Sequence, residues 1–176
     1  MNPLTIKTAD GHSFKVEFDV ARQSQTIRTM LEDLNIEEDD GTGEKLLPLT
    51  NEEVTGPVFK TALVWMEENR GKPEPKDDED EDELKPKEFV NWDQLNEWEK
   101  NYVKMPVDDM FPLLITGNFL EIKGLIKLMC KAVALQIQGK TVEEIRETFN
   151  VADPKWTPEE LQKLKEENAW AYETKK

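Results

Sequence analysis

One cysteine, one histidine, two tyrosines and eight glycines are scattered through 176 residues, and each shortage excludes something. A single Cys130 rules out an internal disulfide, so nothing in the chain calls for an oxidising compartment. One His and one Cys give no ligand set for a His/Cys metal cluster. Gly117, Gly124 and Gly139 do not follow a phosphate-cradling spacing. Positive charge is also short: 23 Lys and Arg stand against 38 Asp and Glu, a net charge of −15. That balance argues against nucleic acid and against an anionic membrane surface, both of which would repel the chain. No apolar run approaches the ~18 residues of a membrane-spanning helix, and Met1–Thr8 lacks a signal peptide's long apolar stretch. The expectation is a protein of the cytoplasm and nucleus. Its length allows one domain or one and a small appendage, and a hydrophobic content of 37% is enough for a core.

What the chain does hold is concentrated apolar surface. In Ile122–Gly139, Ile122, Ile126, Met129, Val133 and Ile137 share one helical stripe, widened by Cys130. Leu125, Leu128, Ala132 and Leu135 form its neighbour. The combined arc spans roughly 220° of the helical wheel, against about 100–140° for a helix that covers one core. Lys123, Lys127, Lys131 and Gln138 fill the rest. Such a helix is buried from two directions, one by its own domain and one by something else.

Around it the pattern is mixed. Leu4–Thr8 and the alternating Phe14, Val16 and Phe18 predict a hairpin turning at Ala9-Asp10-Gly11. Ser24 is a candidate N-cap for a helix carrying Ile27, Met30, Leu31 and Leu34. Glu37–Glu44 reads as an acidic loop, and Leu46–Leu49 as a strand that its proline confines to an edge. Thr55–Glu68 reads as helix, with Val58, Phe59, Ala62, Leu63 and Met66 inward. Between about 70 and 88, prolines and the acidic run Asp77–Glu83 predict a disordered insertion, read as a solvated linker or an interaction tail. A calcium loop starting at Asp78 fails, with Glu83 where Gly is needed and Phe89 where Glu is needed.

Further on, Asp93–Val103 and Val107–Leu120 read as helices. Pro112 calls for a late start to the second, capped by Asp108 or Asp109. Gly139 serves as the C-cap of the long apolar helix. Two short helices then open on capping boxes, Thr141-Val-Glu-Glu144 and Thr157-Pro-Glu-Glu160, separated by Asp153-Pro154.

Catalysis finds little to work with. Cys130 and His12 are the only thiol and imidazole. Cys130 sits on the apolar arc, where burial makes a thiol an inert small hydrophobe, and His12 sits in the hairpin turn. Carboxylates are so numerous that their pairing carries no information. What remains is surface. Helices of about ten residues must dock on something. Either they cover the arc and complete one core, or they line a groove for a partner helix with Phe149 and Trp170 as anchors.

Several stretches carry a resemblance: Ala21–Leu34, Trp92-Asp93-Gln94, Asn118–Leu125, Cys130-Lys131, Gly139–Asn150 and Glu167-Asn-Ala-Trp170. Together these stretches, which run through nearly the whole chain, resemble the S-phase kinase-associated adaptor family of SCF ubiquitin ligases. The resemblance implies an α+β, helix-rich BTB/POZ fold over 1–138 and an F-box-binding helical extension over 139–176. It implies a non-catalytic adaptor that bridges a cullin scaffold, and through it a RING protein, to F-box substrate receptors. The F-box-binding residues implied are Phe111, Ile126, Cys130, Val133, Ile137, Ile145, Phe149, Val151 and Trp170. The cullin-binding pair implied is Asn118 and Phe119. The chain departs from the family pattern at Phe119, where Tyr is common, at Pro112, at Gln136, where Met is common, and at Ala171, where Cys is usual. Two other readings stay open: an F-box protein stabiliser outside a cullin ligase, and an elongin-C-like adaptor, which would lack the helices of Thr141–Trp170. A free chain with an uncovered arc is also expected to form a weak homodimer.

Overall fold

The computed structural model describes residues 3–37, 45–75, 90–152 and 155–168. The acidic run Asp77–Glu83, nearly all of the loop expected at Glu37–Glu44, the Asp153-Pro154 break and Trp170 lie outside the described residues. The chain clusters into two units, Met1–Gly139 and Lys140–Lys176.

In the first unit, β1 (Leu4–Lys7) and β2 (Ser13–Val16) form the expected antiparallel hairpin, with Leu4 opposite Val16 and Ile6 opposite Phe14. Gly11 takes φ of 90°, which the turn requires and which an L side chain resists. β3 (Lys45–Pro48) runs parallel to β1 in the order β2-β1-β3. Pro48 therefore lies on an edge strand, as expected of a residue with no N–H to donate. The central strand is covered on both faces, with Leu4, Thr5 and Ile6 all buried.

Phe18 departs from the expected strand. The chain turns after Glu17 into a short helix, α1 (Phe18–Ala21). Its ring is buried beneath two cations, Arg22 at 5.5 Å and Lys45 at 5.3 Å from the centroid. Burial of Phe18 is thus achieved from a helix rather than from the alternating face of a strand. α2 (Gln25–Asp33) begins at Ser24, whose hydroxyl accepts the Ile27 N–H at 3.1 Å. Ile27 and Leu31 are buried, whereas Leu34 ends the helix with its side chain exposed. α3 (Gly56–Glu68) buries Phe59, Ala62, Leu63, Trp65 and Met66, with Pro57 in its first turn.

The single helix expected over Asp93–Val103 is two pieces: a 3-10 turn at Trp92–Gln94 and α4 (Glu97–Tyr102). Asn96 breaks them apart by forming a reciprocal cap with Glu99, each bond 2.9 Å. α5 (Val107–Phe119) starts early and carries Pro112 in its interior, which corrects the expected late start. The missing Pro112 N–H leaves the Asp108 carbonyl without its helical donor. Asp108 is exposed, so water can serve that carbonyl. α6 (Lys123–Ile137) follows, and Gly139 just beyond it takes φ of 75°.

The second unit holds α7 (Val142–Thr148) and α8 (Pro158–Glu167). Both capping boxes form. Thr141 and Glu144 exchange bonds of 2.8 and 3.3 Å, and Thr157 and Glu160 do the same. Among the described residues no helix is long and apolar enough to cross a membrane, and no His/Cys/Asp/Glu group could hold a metal ion.

Candidate partner-binding surface

The core of the first unit is built where α5 meets α6. Gly117 permits the approach: a Cβ there would stand 3.3 Å from a Leu125 methyl. From α5 come buried Met110, Leu113 and Thr116; from α6 come Leu125, Leu128, Met129 and Ala132. This inward set is one half of the wide apolar arc. The chain's own domain covers that half fully, and Val133 and Leu135 pack against the same core in part.

The other half faces outward. Ile126 and Val133 are half-buried, Ile137 is 39% exposed and Cys130 is exposed. The expected burial of Cys130 is therefore corrected. It shares a stripe with Ile126 and Ile137, one and two turns away, and that stripe points away from Leu125, Met129 and Ala132. Gln136 has the opposite placement. It falls on the inward stripe with Leu125, Met129 and Ala132, in the last turn, and is half-buried.

On α5 a second apolar stripe faces outward. Phe111 and Ile115 are each 41% exposed, and Asn118 follows on the same face with an exposed side chain. The F-box residue Phe111 and the cullin residue Asn118 implied by the resemblance thus share one face of one helix. Phe119 is half-buried and packs against the core. Its carbonyl accepts the Thr26 hydroxyl at 2.7 Å, and the Leu120 carbonyl accepts that of Ser24. These bonds tie the end of α5 to α2 and fix where Asn118 points.

In the second unit Ile145 and Phe149 are half-buried and Val151 is 56% exposed. Apolar side chains that the sequence did not place in the site are exposed beside them in the chain: Val142, Trp156, Leu161 and Leu164. The capping-box register could have found Leu161 and Leu164, which were legible as one apolar face. Ile115 was hidden by Pro112, because a late helix start obscures the Phe111–Ile115–Asn118 stripe.

His12 lies in the hairpin, where its Nδ1 is 3.1 Å from Asp10. Asp10 also accepts the Gly56 N–H at 2.8 Å and the Thr8 hydroxyl. These bonds, led by the one from Thr8, hold the Asp10 carboxyl well below the usual carboxylate range. The cluster braces the hairpin against the start of α3.

Residues 2–71 match the Skp1 family, tetramerisation domain, and residues 123–171 match the Skp1 family, dimerisation domain. A "Skp1-related protein" of Caenorhabditis elegans is 35% identical over 95% of this chain and 90% of its own length. An "E3 ubiquitin ligase complex SCF subunit sconC" of Arthroderma benhamiae is 34% identical over 98% of this chain and 96% of its own. The chain belongs to the Skp1 family. Its helix-rich fold around a three-stranded sheet is of the BTB/POZ type, as the resemblance implied. Relatives named as SCF subunits include a second sconC, of Arthroderma otae, 33% identical over 96% of this chain and 93% of its own.

Proposed function

We propose that this protein is an adaptor subunit of an SCF-type E3 ubiquitin ligase, acting in protein ubiquitination without chemistry of its own. It joins F-box substrate receptors to a cullin and, through the cullin, to a RING protein. The observation that carries the reading is the divided apolar arc of α6: Leu125, Leu128, Met129 and Ala132 are spent on the domain core, while Cys130 and Ile137 remain exposed. An acidic chain that keeps such residues outward keeps them for a partner.

The F-box-binding residues are Phe111, Ile126, Cys130, Val133 and Ile137 of the first unit and Ile145, Phe149, Val151 and Trp170 of the second. Asn118 and Phe119 serve the cullin, and Asn118 supplies the exposed contact. The site of action is the cytoplasm and nucleus. Calorimetric titration with an F-box fragment tests the assignment. Val151→Asp is expected to weaken binding at least tenfold, or about 1.4 kcal/mol, by leaving a charge in the interface. Unchanged affinity would remove Val151 from the site.

A further inference from the structure

A cavity of about 280 Å³ opens on the first unit, and none of its lining residues is among those assigned to a partner. Its floor is apolar: Trp65, Leu95, Ile122 and Leu128, with Pro73 and Pro75 at the side. Its rim is basic. Lys123, Lys127 and Lys131 recur every fourth residue along α6, and Lys72 joins them. In a chain of net charge −15 with 23 cations, four of those cations line one small cavity.

The two carboxylates that also line it, Glu74 and Glu99, are committed elsewhere. Glu74 pairs with Arg28, and Glu99 accepts the Asn96 N–H at 2.9 Å as its capping partner. Lys72 donates to Asn69 at 3.1 Å, and Lys123 and Lys127 already hold contacts of their own. A ligand would exchange these for a stronger anion. The rise of an α-helix sets successive lysines about 6 Å apart along the axis, so the stripe meets several anionic groups rather than one.

We propose that this cavity binds a small organic polyphosphate, its apolar body against Pro73, Pro75 and the accessible edge of Trp65 and its phosphates on Lys123, Lys127 and Lys131. The net negative charge of the chain opposes a long polyanion such as nucleic acid. A compact one is governed by charges within the screening length of about 8–10 Å, and among the described lining residues four lysines outnumber two glutamates. Gly124 sets the shape of the floor: a Cβ there would stand 2.6 Å from the Trp65 ring.

The test is calorimetric titration of the full chain, without divalent cations, using adenosine triphosphate, inorganic tripolyphosphate and adenosine. The nucleotide is expected to bind at least threefold more tightly than tripolyphosphate, and adenosine not measurably. Lys127→Gln with Lys131→Gln is expected to weaken the nucleotide at least tenfold, while Lys163→Gln on α8 leaves it unchanged. Lys131 and Lys163 are exposed and Lys127 is half-buried, and an unaltered circular-dichroism melt confirms folding of each variant. No nucleotide binding at millimolar concentration would overturn the proposal. So would an equal loss with Lys163→Gln, which means diffuse attraction, or equal affinity for tripolyphosphate, which means the apolar floor is idle.

Discussion

Gly124 of α6 and Trp65 of α3 stand in a contact that allows no side chain between them: a Cβ on Gly124 would lie 2.6 Å from the far edge of the indole. Trp65 is 9% exposed, so the ring has little room to retreat. Gly124→Ala gains helix propensity but overpacks the junction. The expected net result is destabilisation by about 1–3 kcal/mol, read as a lowered urea midpoint with an unchanged slope. A stabilised variant would show that Trp65 moves freely.

Ser24 works in two directions at once. It caps α2 through the Ile27 N–H and donates to the Leu120 carbonyl beyond α5, with none of its surface exposed. Ser24→Ala loses the cap and strands a buried carbonyl. The expected cost is about 2–3 kcal/mol by chemical denaturation. A cost within about 0.5 kcal/mol, the range of ordinary surface substitutions, would mean that water replaces both bonds.

The hairpin brace predicts an acid limb in stability. Thr8, the Gly56 N–H and His12 depress the Asp10 pKa in the folded state. A depressed carboxylate contributes above its unfolded pKa of about 3.9 and loses that contribution as pH falls toward its folded value. Stability is therefore expected to drop progressively below about pH 4. Asp10→Asn should flatten that drop in urea midpoints measured from neutral to strongly acid pH. An identical acid limb in the variant would assign it to other carboxylates. Glu144 and Glu160, each depressed mainly by its capping threonine's N–H, act with the same sign.

Asn118 and Phe119 are neighbours with different duties. Asn118 is exposed, whereas Phe119 packs against the core. Asn118→Asp is expected to weaken cullin binding at least tenfold while leaving F-box affinity and the melting temperature unchanged. Phe119→Ala is expected to lower stability as well, by about 2–4 kcal/mol for a half-buried aromatic ring. If Asn118→Asp weakened both partners equally, the stripe it shares with Phe111 would be one binding surface rather than two.

Much of this architecture was legible because local signals are strong where they concern caps and turns. Ser24, Thr141, Thr157 and Gly11 act where their chemistry demanded. The 3.6 period correctly found both halves of the arc on α6. It could not say which half the domain would take, because that depends on where α5 packs, which is a tertiary fact. Cys130 left its expected buried place for that reason, while Gln136, expected inside the arc, is half-buried there. Phe18 kept the strand period but entered a helix, since burial can be met from either. Pro112 misled in the other direction: an exposed turn tolerates the lost hydrogen bond, so the helix begins five residues before it. The Asn96–Glu99 cap is legible in the sequence as an Asn followed three residues later by Glu.

The central claim is that one chain holds two partners at once. Native mass spectrometry of this protein with an F-box fragment and a cullin N-terminal domain tests it most directly. The account predicts a ternary complex with one copy of each, reduced to the F-box pair by Asn118→Asp and to the cullin pair by Val151→Asp. Recovery of the F-box pair alone, with no cullin at any concentration, would contradict the bridging role.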